Sequence, residues 1–298
     1  YSDRMCRSIT VGLCMFLLSN ICVLSMSWGV EGLVKQRRDA RIITVGGPGA
    51  DLPAFTSEAV QIAIDALGSK GGGTVRLGAG TFAVSAPISL SDHVSLTGAG
   101  PSTILRKVDG FRTKFVIDAD YGMLKVVVKD PSGFKTGMGI QLWDDDHTDC
   151  WDATTARITS INADTLYIDT WLVHDYLAGS NGTISNSCPV VEGIGVEHVR
   201  IADFTVDGNG STNDPMTGCR GGGVYFHKSR DITMERVRVH HFNGDNFSWQ
   251  ITEQVSVLQC ESDHASGLGF HPGTGSDATR IEDCRCHDNK GDGIFLCW

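Results

Sequence analysis

The sequence predicts an all-β chain wound as a single-stranded right-handed parallel β-helix, with an N-terminal capping helix and a small β-rich insertion. Three observations carry this expectation. The chain repeats itself every 23 to 24 residues after residue 195. Inside a repeat, three short alternating runs appear without a helical period. Glycine, at 36 residues against 8 prolines, reaches nearly double its usual share, which suits many tight turns between short strands.

The 298 residues are 41% hydrophobic and 20% charged, the balance of a globular chain. A net charge of −10 with no basic run argues against a nucleic-acid partner, since phosphate recognition needs a concentrated Lys/Arg surface.

Residues 1–27 read as a secretory signal. Arg4 and Arg7 flank Met5, the run Ile9 to Met26 is mostly apolar, and Ser25-Met26-Ser27 offers a small-x-small cleavage site. An uncleaved anchor is the alternative, although Ser19 and Asn20 interrupt the run. A cleaved signal implies a secreted or cell-surface protein with no stable membrane insertion. It also removes Cys6, Cys14 and Cys22, leaving seven cysteines without a zinc-type CxxC…CxxC spacing. Seven is odd, so at least one thiol stays free or pairs outside this segment.

After an N-terminal segment, 28–56, comes the capping helix with the first coils, 57–110. Thr56 or Ser57 caps an apolar run (Ala59, Val60, Ile62, Ala63, Ile64, Ala66, Leu67) that ends at Gly68 and is placed to cover the open end of the first coil. Gly71-Gly72-Gly73-Thr74-Val75 is not a phosphate loop, because it precedes a strand and lacks the Gly-Lys-Ser/Thr ending. Residues 111–190 form the β-rich insertion.

Coils occupy 191–298. Gly221, Gly244, Gly267 and Gly291 recur at spacings of 23, 23 and 24, and so do Val224, Phe247, Phe270 and Ile294. Each repeat is then one rung that buries its inner face on its neighbours. Three strands are expected per rung, for example Phe247 to Gln250, Gln254 to Leu258 and Gln259 to Ser262. Between Val199 and Ile232 the period stretches to 33 residues, and the polar excess Asp207 to Gly218 projects as a loop. The chain stops inside the strand that matches Phe247 to Gln250, so the natural protein is expected to continue, with a fragment ending there self-associating through its exposed edge. Oligomeric state is otherwise open.

The helix, GGGTV, GTF (Gly80 to Phe82) and VSLTGAG (Val94 to Gly100) resemble the N-terminal part of the pectate-lyase-like superfamily of right-handed β-helix proteins. The resemblance covers roughly 45–110 and 191–298 and implies an extracellular polysaccharide as partner. Among the members, polygalacturonase-type hydrolases offer the motif comparison. Their matching places read here Val206-Asp207-Gly208, Gly244-Asp245-Asn246, Gly267-Leu268-Gly269 and Gly291-Asp292-Gly293. Two acids match, while Asn246 and Leu268 stand where those enzymes carry an acid and a histidine.

Alternation about inward Val224/Phe226, Phe247/Trp249 and Phe270/Pro272 puts Tyr225, Ser248, His271 and Phe295 outside. A neighbouring outward column of Gly223, Asn246, Gly269 and Gly293 would floor a groove for a sugar chain, or merely ease turns. Asp245 and Asp292 share one column two rungs apart, about 9.6 Å at the backbone. Inverting glycosidases hold two carboxyls about 6.5–9.5 Å apart. Asp245 and Asp292 are therefore the candidate acid/base pair, with His271 and Asp207 as further catalytic candidates and Tyr225, His227, Asn246, Ser248, Phe295 and Arg220 as substrate contacts. Simple turn formation by the aspartates is the competing explanation.

A glycoside hydrolase is favoured slightly over a lyase, and a non-catalytic glycan-binding or surface structural protein is the rival class. A lyase would draw its base and cation from Arg220, His227, Lys228 and His271. No cofactor is assigned. Ca2+ is the candidate ion, either bridging an acidic polymer or in the run Asp144-Asp145-Asp146-His147 with Asp149 and Asp152, which lacks EF-hand spacing. The columns His240/Asp263/His287 and His241/His264/Asp288 carry ligand-type residues, but pairing across rungs at a solvated turn is expected, so no metal site is assigned.

Overall fold

The computed structural model describes residues 41–297; the signal expected over 1–27 lies outside the described residues. Helix α1 (Ser57–Gly68) starts where Thr56, in extended conformation, accepts the Ala59 N–H on its hydroxyl at 3.3 Å. It buries Val60, Ala63, Ile64 and Leu67 and packs on strands Ile42–Val45 and Gly73–Leu77. No helix among the described residues is long and apolar enough to cross a membrane.

The chain is a parallel β-helix. In one sheet the parallel strands Ile42–Val45, Gly73–Leu77, Val94–Thr97, Glu197–Asp207, Arg230–His240, Glu253–Leu258 and Arg280–Glu282 follow one another. A second sheet stacks Ile88–Ser89, Val191–Ile194, Val224–His227, Phe247–Gln250 and Phe270–Pro272. Arg200 of one coil pairs with Ser95 of the coil before it. Only the residues between Lys107 and Val191 leave the solenoid, and they return without breaking its ladder.

Three strands per rung were expected, yet Glu197–Asp207 and Arg230–His240 run on as single strands of 11 residues. The reason lies in the corners. Asp203, Arg236, Gln259 and Asp283 all take the left-handed conformation, with φ of 62°, 51°, 53° and 54°. One such residue redirects the strand while the hydrogen bonds on both sides persist, so two strands merge through the bend. Two further corners repeat the device: His198, Asp231, Gln254 and Ala278 form one, and His241, His264 and Asp288 the other, all at positive φ. Of the two ligand-type columns seen in the sequence, His241/His264/Asp288 is thus a column of corner residues, while His240, Asp263 and His287 end the strands just before it.

Inside, Val224, Phe226, Phe247, Trp249 and Phe270 belong to one continuous core. Phe247 and Phe270 stack with centroids 4.9 Å apart, the column the repeat predicts. Ile294 bridges to Phe270 but is 50% exposed. One correction concerns the column placed outside as a groove floor. Asn246 is fully buried and donates inward from Nδ2 to the Val239 carbonyl (2.9 Å), Ser262 Oγ (2.9 Å) and the Asp263 carbonyl (3.0 Å). Gly223 and Gly269 also face in, since a Cβ on them would meet Val239 Cγ1 and Cys286 Sγ. Strand alternation fails here because Asn246 sits in the corner, where the chain changes direction, and its amide satisfies the inward carbonyls of that bend.

The excursion carries its own six-stranded sheet, in the order Arg112–Lys114, Thr183–Ser185, Gly139–Trp143, Thr154–Asn162, Thr165–Ile168 and Lys125–Val127. Its separate core includes Phe115, Val126, Ile140, Leu142, Ile158, Leu166 and Ile184.

Candidate functional site

The second sheet aligns an outward row. Ser89 pairs with Glu192, Glu192 with Tyr225, Tyr225 with Ser248, and Ser248 with His271. Phe295 continues it, with its ring 5.6 Å from His271 in a T-shaped contact and 41% exposed. A second row two residues on holds Ile194, His227 and Gln250.

Tyr225, Ser248 and His271 were expected on an open face, and here the expectation needs correcting. They point away from the core, but they are 3%, 0% and 7% exposed. The stretch between Asp207 and Val224 folds back over them. Ser248 Oγ donates to the Gly218 carbonyl at 2.6 Å, and the Tyr225 hydroxyl donates to the Cys219 carbonyl at 2.7 Å. That loop is tied in turn to the insertion: Thr217 Oγ1 donates to the Cys150 carbonyl (2.7 Å) and Arg220 Nε to the Trp151 carbonyl (3.0 Å). Rung periodicity determines which way a side chain points, whereas the covering comes from segments outside the repeat.

Asp245 and Asp292 do share a column, since Asn246 N–H donates to the Leu268 carbonyl and Gly269 N–H to the Asp292 carbonyl on successive rungs. Their carboxyls are not paired in the way the sequence suggested. Asp245 is buried, with Oδ1 accepting the Leu268 N–H and Oδ2 lying 2.7 Å from His271 Nδ1. Asp292 is exposed. Asp207 lies on the other sheet, ion-paired with Arg106, and accepts the Asn209 N–H. Asn246, as an inward corner residue, is no substrate contact. His271 keeps Nε2 buried without a partner.

Sequence reasoning missed Glu192, the one carboxyl of the row. Ser89 Oγ donates to Glu192 Oε1 at 2.6 Å, and Arg157 reaches Ser89 Oγ at 2.8 Å. Burial pushes the Glu192 carboxyl above its ordinary range against the opposing pull of the Ser89 hydrogen bond. It lines a pocket of about 140 Å³ with Arg157, Asp169, Cys188 and Ile194. The signal was available: Val191-Glu192-Gly193 matches Val224-Tyr225-Phe226 at the 33-residue period, but Glu192 falls in the last residues before the clear repeats.

In the neighbouring row, paired with Ile194, stands the half-buried His227, with Arg220 near it. Burial first, then Lys228 and Arg220, lower the His227 imidazole to about 4, so it is neutral near pH 7. Its ring lies 5.5 Å from Trp151, and the Arg220 guanidinium sits 5.2 Å over the Trp151 ring. Burial also raises the Tyr225 hydroxyl. The region thus offers a carboxyl with a raised pKa, a neutral imidazole, a phenol and a cation.

Within the acidic run expected as a Ca2+ candidate, Asp144 spends its oxygens locally. Asp144 is fully buried and accepts from His147 Nδ1 (2.8 Å) and from the Asp146 and Leu177 N–H groups. Among the described residues, His241/Asp263/His264, Glu261/Asp263/His287 and His93/Glu197/His198 bring ligand atoms together. Burial alone would raise the Asp263 carboxyl, but Arg238, bonded to both oxygens at 2.8 and 3.1 Å, and His264 hold it at about 2. Asp263 is therefore already neutralised by a protein cation.

Residues 174–297 match the family described as the right handed beta helix region. No curated protein sequence matches the chain. Among solved structures, an A-module of mannuronan C-5 epimerase from Azotobacter vinelandii aligns at 19% identity over 82% of this chain and 51% of that one, with a TM-score of 0.48. A putative glycosyl hydrolase from Parabacteroides merdae aligns at 11% identity over 86% and 94%, with a TM-score of 0.43. An exopolygalacturonase from Thermotoga maritima aligns at 12% identity over 86% and 56%, with a TM-score of 0.44. The chain spans about half the length of the epimerase module. Similarity at this level does not say what the chain does.

Proposed function

We propose that the chain acts on a polysaccharide, cleaving glycosidic bonds with Glu192 as the general acid. One observation carries this reading: Glu192 is a carboxyl raised by burial yet still part of a pocket wall. Glycoside hydrolysis needs a carboxylic acid that stays protonated near neutral pH, together with a second carboxyl to activate water or attack. Asp169 lines the same pocket and supplies that second group. The acid role thus falls to Glu192 rather than Asp245, whose oxygens are both occupied. Secretion or display at the cell surface, suggested by residues 1–27, suits such a substrate.

A specific observation also supports elimination at a uronate. His227 is neutral and Arg220 lies nearby, giving a base for the proton next to a carboxylate and a cation to neutralise that carboxylate. A panel of neutral and uronate polysaccharides separates the readings. New reducing ends without ultraviolet-absorbing unsaturated product, lost in Glu192→Gln, support hydrolysis. Unsaturated product lost in His227→Gln supports elimination. Saturable binding with no new ends in either assay makes the chain a glycan-binding module and removes both enzymatic readings.

A further inference from the structure

Cys150 lies in the insertion and is exposed, while Cys219 lies in the loop that covers the outward row and is 9% exposed. Far apart in sequence, they are drawn together by the backbone around them. The Arg220 and Gly221 N–H groups both donate to the Thr217 carbonyl, making a tight turn with Cys219 inside it. Both ends of that turn are anchored on the other cysteine's segment, Thr217 at the Cys150 carbonyl and Arg220 at the Trp151 carbonyl. The stack of Arg220 on Trp151 adds a third tie. After burial, the Cys150 thiol, in hydrogen-bond contact with Cys219, is the neighbour that most raises the Cys219 thiol.

From this geometry we infer that Cys150 and Cys219 form a disulfide that latches the insertion onto the loop covering the Asp245–His271 pair. Gly218, next to Cys219, is the residue whose carbonyl closes over Ser248, and a Cβ there would touch both Asp245 and His271. A bond one residue away holds this cover shut. Without it, the loop is retained by non-covalent contacts alone, and opening exposes the unpartnered His271 Nε2.

The chemistry is thiol–disulfide exchange with a low-molecular-weight disulfide such as oxidised glutathione. The exposed Cys150 thiolate attacks one sulfur and releases one glutathione thiol, leaving a mixed disulfide. The Cys219 thiolate then attacks the Cys150 sulfur and releases the second. Two electrons and two protons pass from the cysteine pair to the glutathione, which is reduced to two thiols.

The test uses the full chain equilibrated in glutathione buffers of graded potential, quenched by alkylation and mapped by mass spectrometry. Oxidation should remove two alkylatable thiols and yield a linked peptide pair containing Cys150 and Cys219, absent in Cys150→Ser and in Cys219→Ser. Amide exchange across residues 216–223 should slow by about tenfold on oxidation, as expected when local opening is restrained. Linkage of Cys219 to Cys297, or both thiols remaining alkylatable in the most oxidising buffer, overturns the inference. Because Cys150 is exposed, Cys150→Ser retains a folded control should Cys219→Ser destabilise the loop. The readout is a covalent mass, so it stands or falls separately from any activity.

Discussion

Asp245 and His271 sit on adjacent rungs with Oδ2 and Nδ1 2.7 Å apart, roofed by Gly218. A Cβ at Gly218 would lie 1.8 Å from Asp245 Oδ2 and 2.7 Å from His271 Nδ1. Gly218→Ala therefore has to lift the loop or break the pair. Overpacking of this kind costs about 1–3 kcal/mol. The expected outcome is a lower denaturation midpoint with faster proteolysis between residues 208 and 223; unchanged stability would show that the loop yields freely.

Glu192→Gln removes the proposed acid while preserving the hydrogen bond to Ser89, so turnover should fall by two orders of magnitude or more, about the worth of general acid catalysis. Stability should move with pH in a defined direction. The folded state raises the Glu192 pKa, so its contribution is complete below the ordinary glutamate value of 4.5 and is lost as pH rises through the raised value. Urea unfolding of both proteins from acid to mildly alkaline pH should show the wild type losing ground to Glu192→Gln as pH increases.

His227 should behave in the opposite sense. Burial lowers its imidazole from 6.5 to about 4, with Lys228 and Arg220 adding repulsion. Its contribution is present above the ordinary histidine value and is lost as pH falls through about 4. Relative to His227→Gln, the wild type should therefore weaken between about pH 6.5 and 4. A ring proton resonance of His227 followed by NMR should titrate near 4; a midpoint near 6.5 would remove its role as a neutral base.

Asn246→Ala tests the inward assignment. It removes the amide donor that the Val239 carbonyl, Ser262 Oγ and the Asp263 carbonyl share in a buried corner, a loss of about 1–3 kcal/mol. Polysaccharide affinity of the protein that remains folded should not change, which binding at a temperature well below the transition would show. A large affinity loss with intact stability would return Asn246 to the substrate face.

The fold was legible because a solenoid writes its geometry into the period. Spacings of 23 and 24 aligned Phe247 with Phe270, and that stacking is present at 4.9 Å. The Thr56 cap and the end of α1 at Gly68 were equally local, resting on one hydroxyl and one apolar stripe. The column His241, His264 and Asp288 was also readable as turn formers, and it occupies a positive-φ corner. Alternation failed at Asn246, because strand parity holds only while the strand runs straight.

What covers the outward row could not be read from periodicity. The loop and the insertion carry no repeat, and their contact at Cys150–Thr217 and Trp151–Arg220 joins residues nearly seventy positions apart. Such a pairing obeys no local rule. The sequence alone determined the rungs, the capping helix, the interior column and the outward direction of Tyr225, Ser248 and His271, since each follows from neighbours along the strand or one period away. Only the tertiary structure decided that these three lie under a roof, that Asp245 faces His271 instead of Asp292, and that Glu192 is the raised acid, because burial depends on segments packed from outside the repeat.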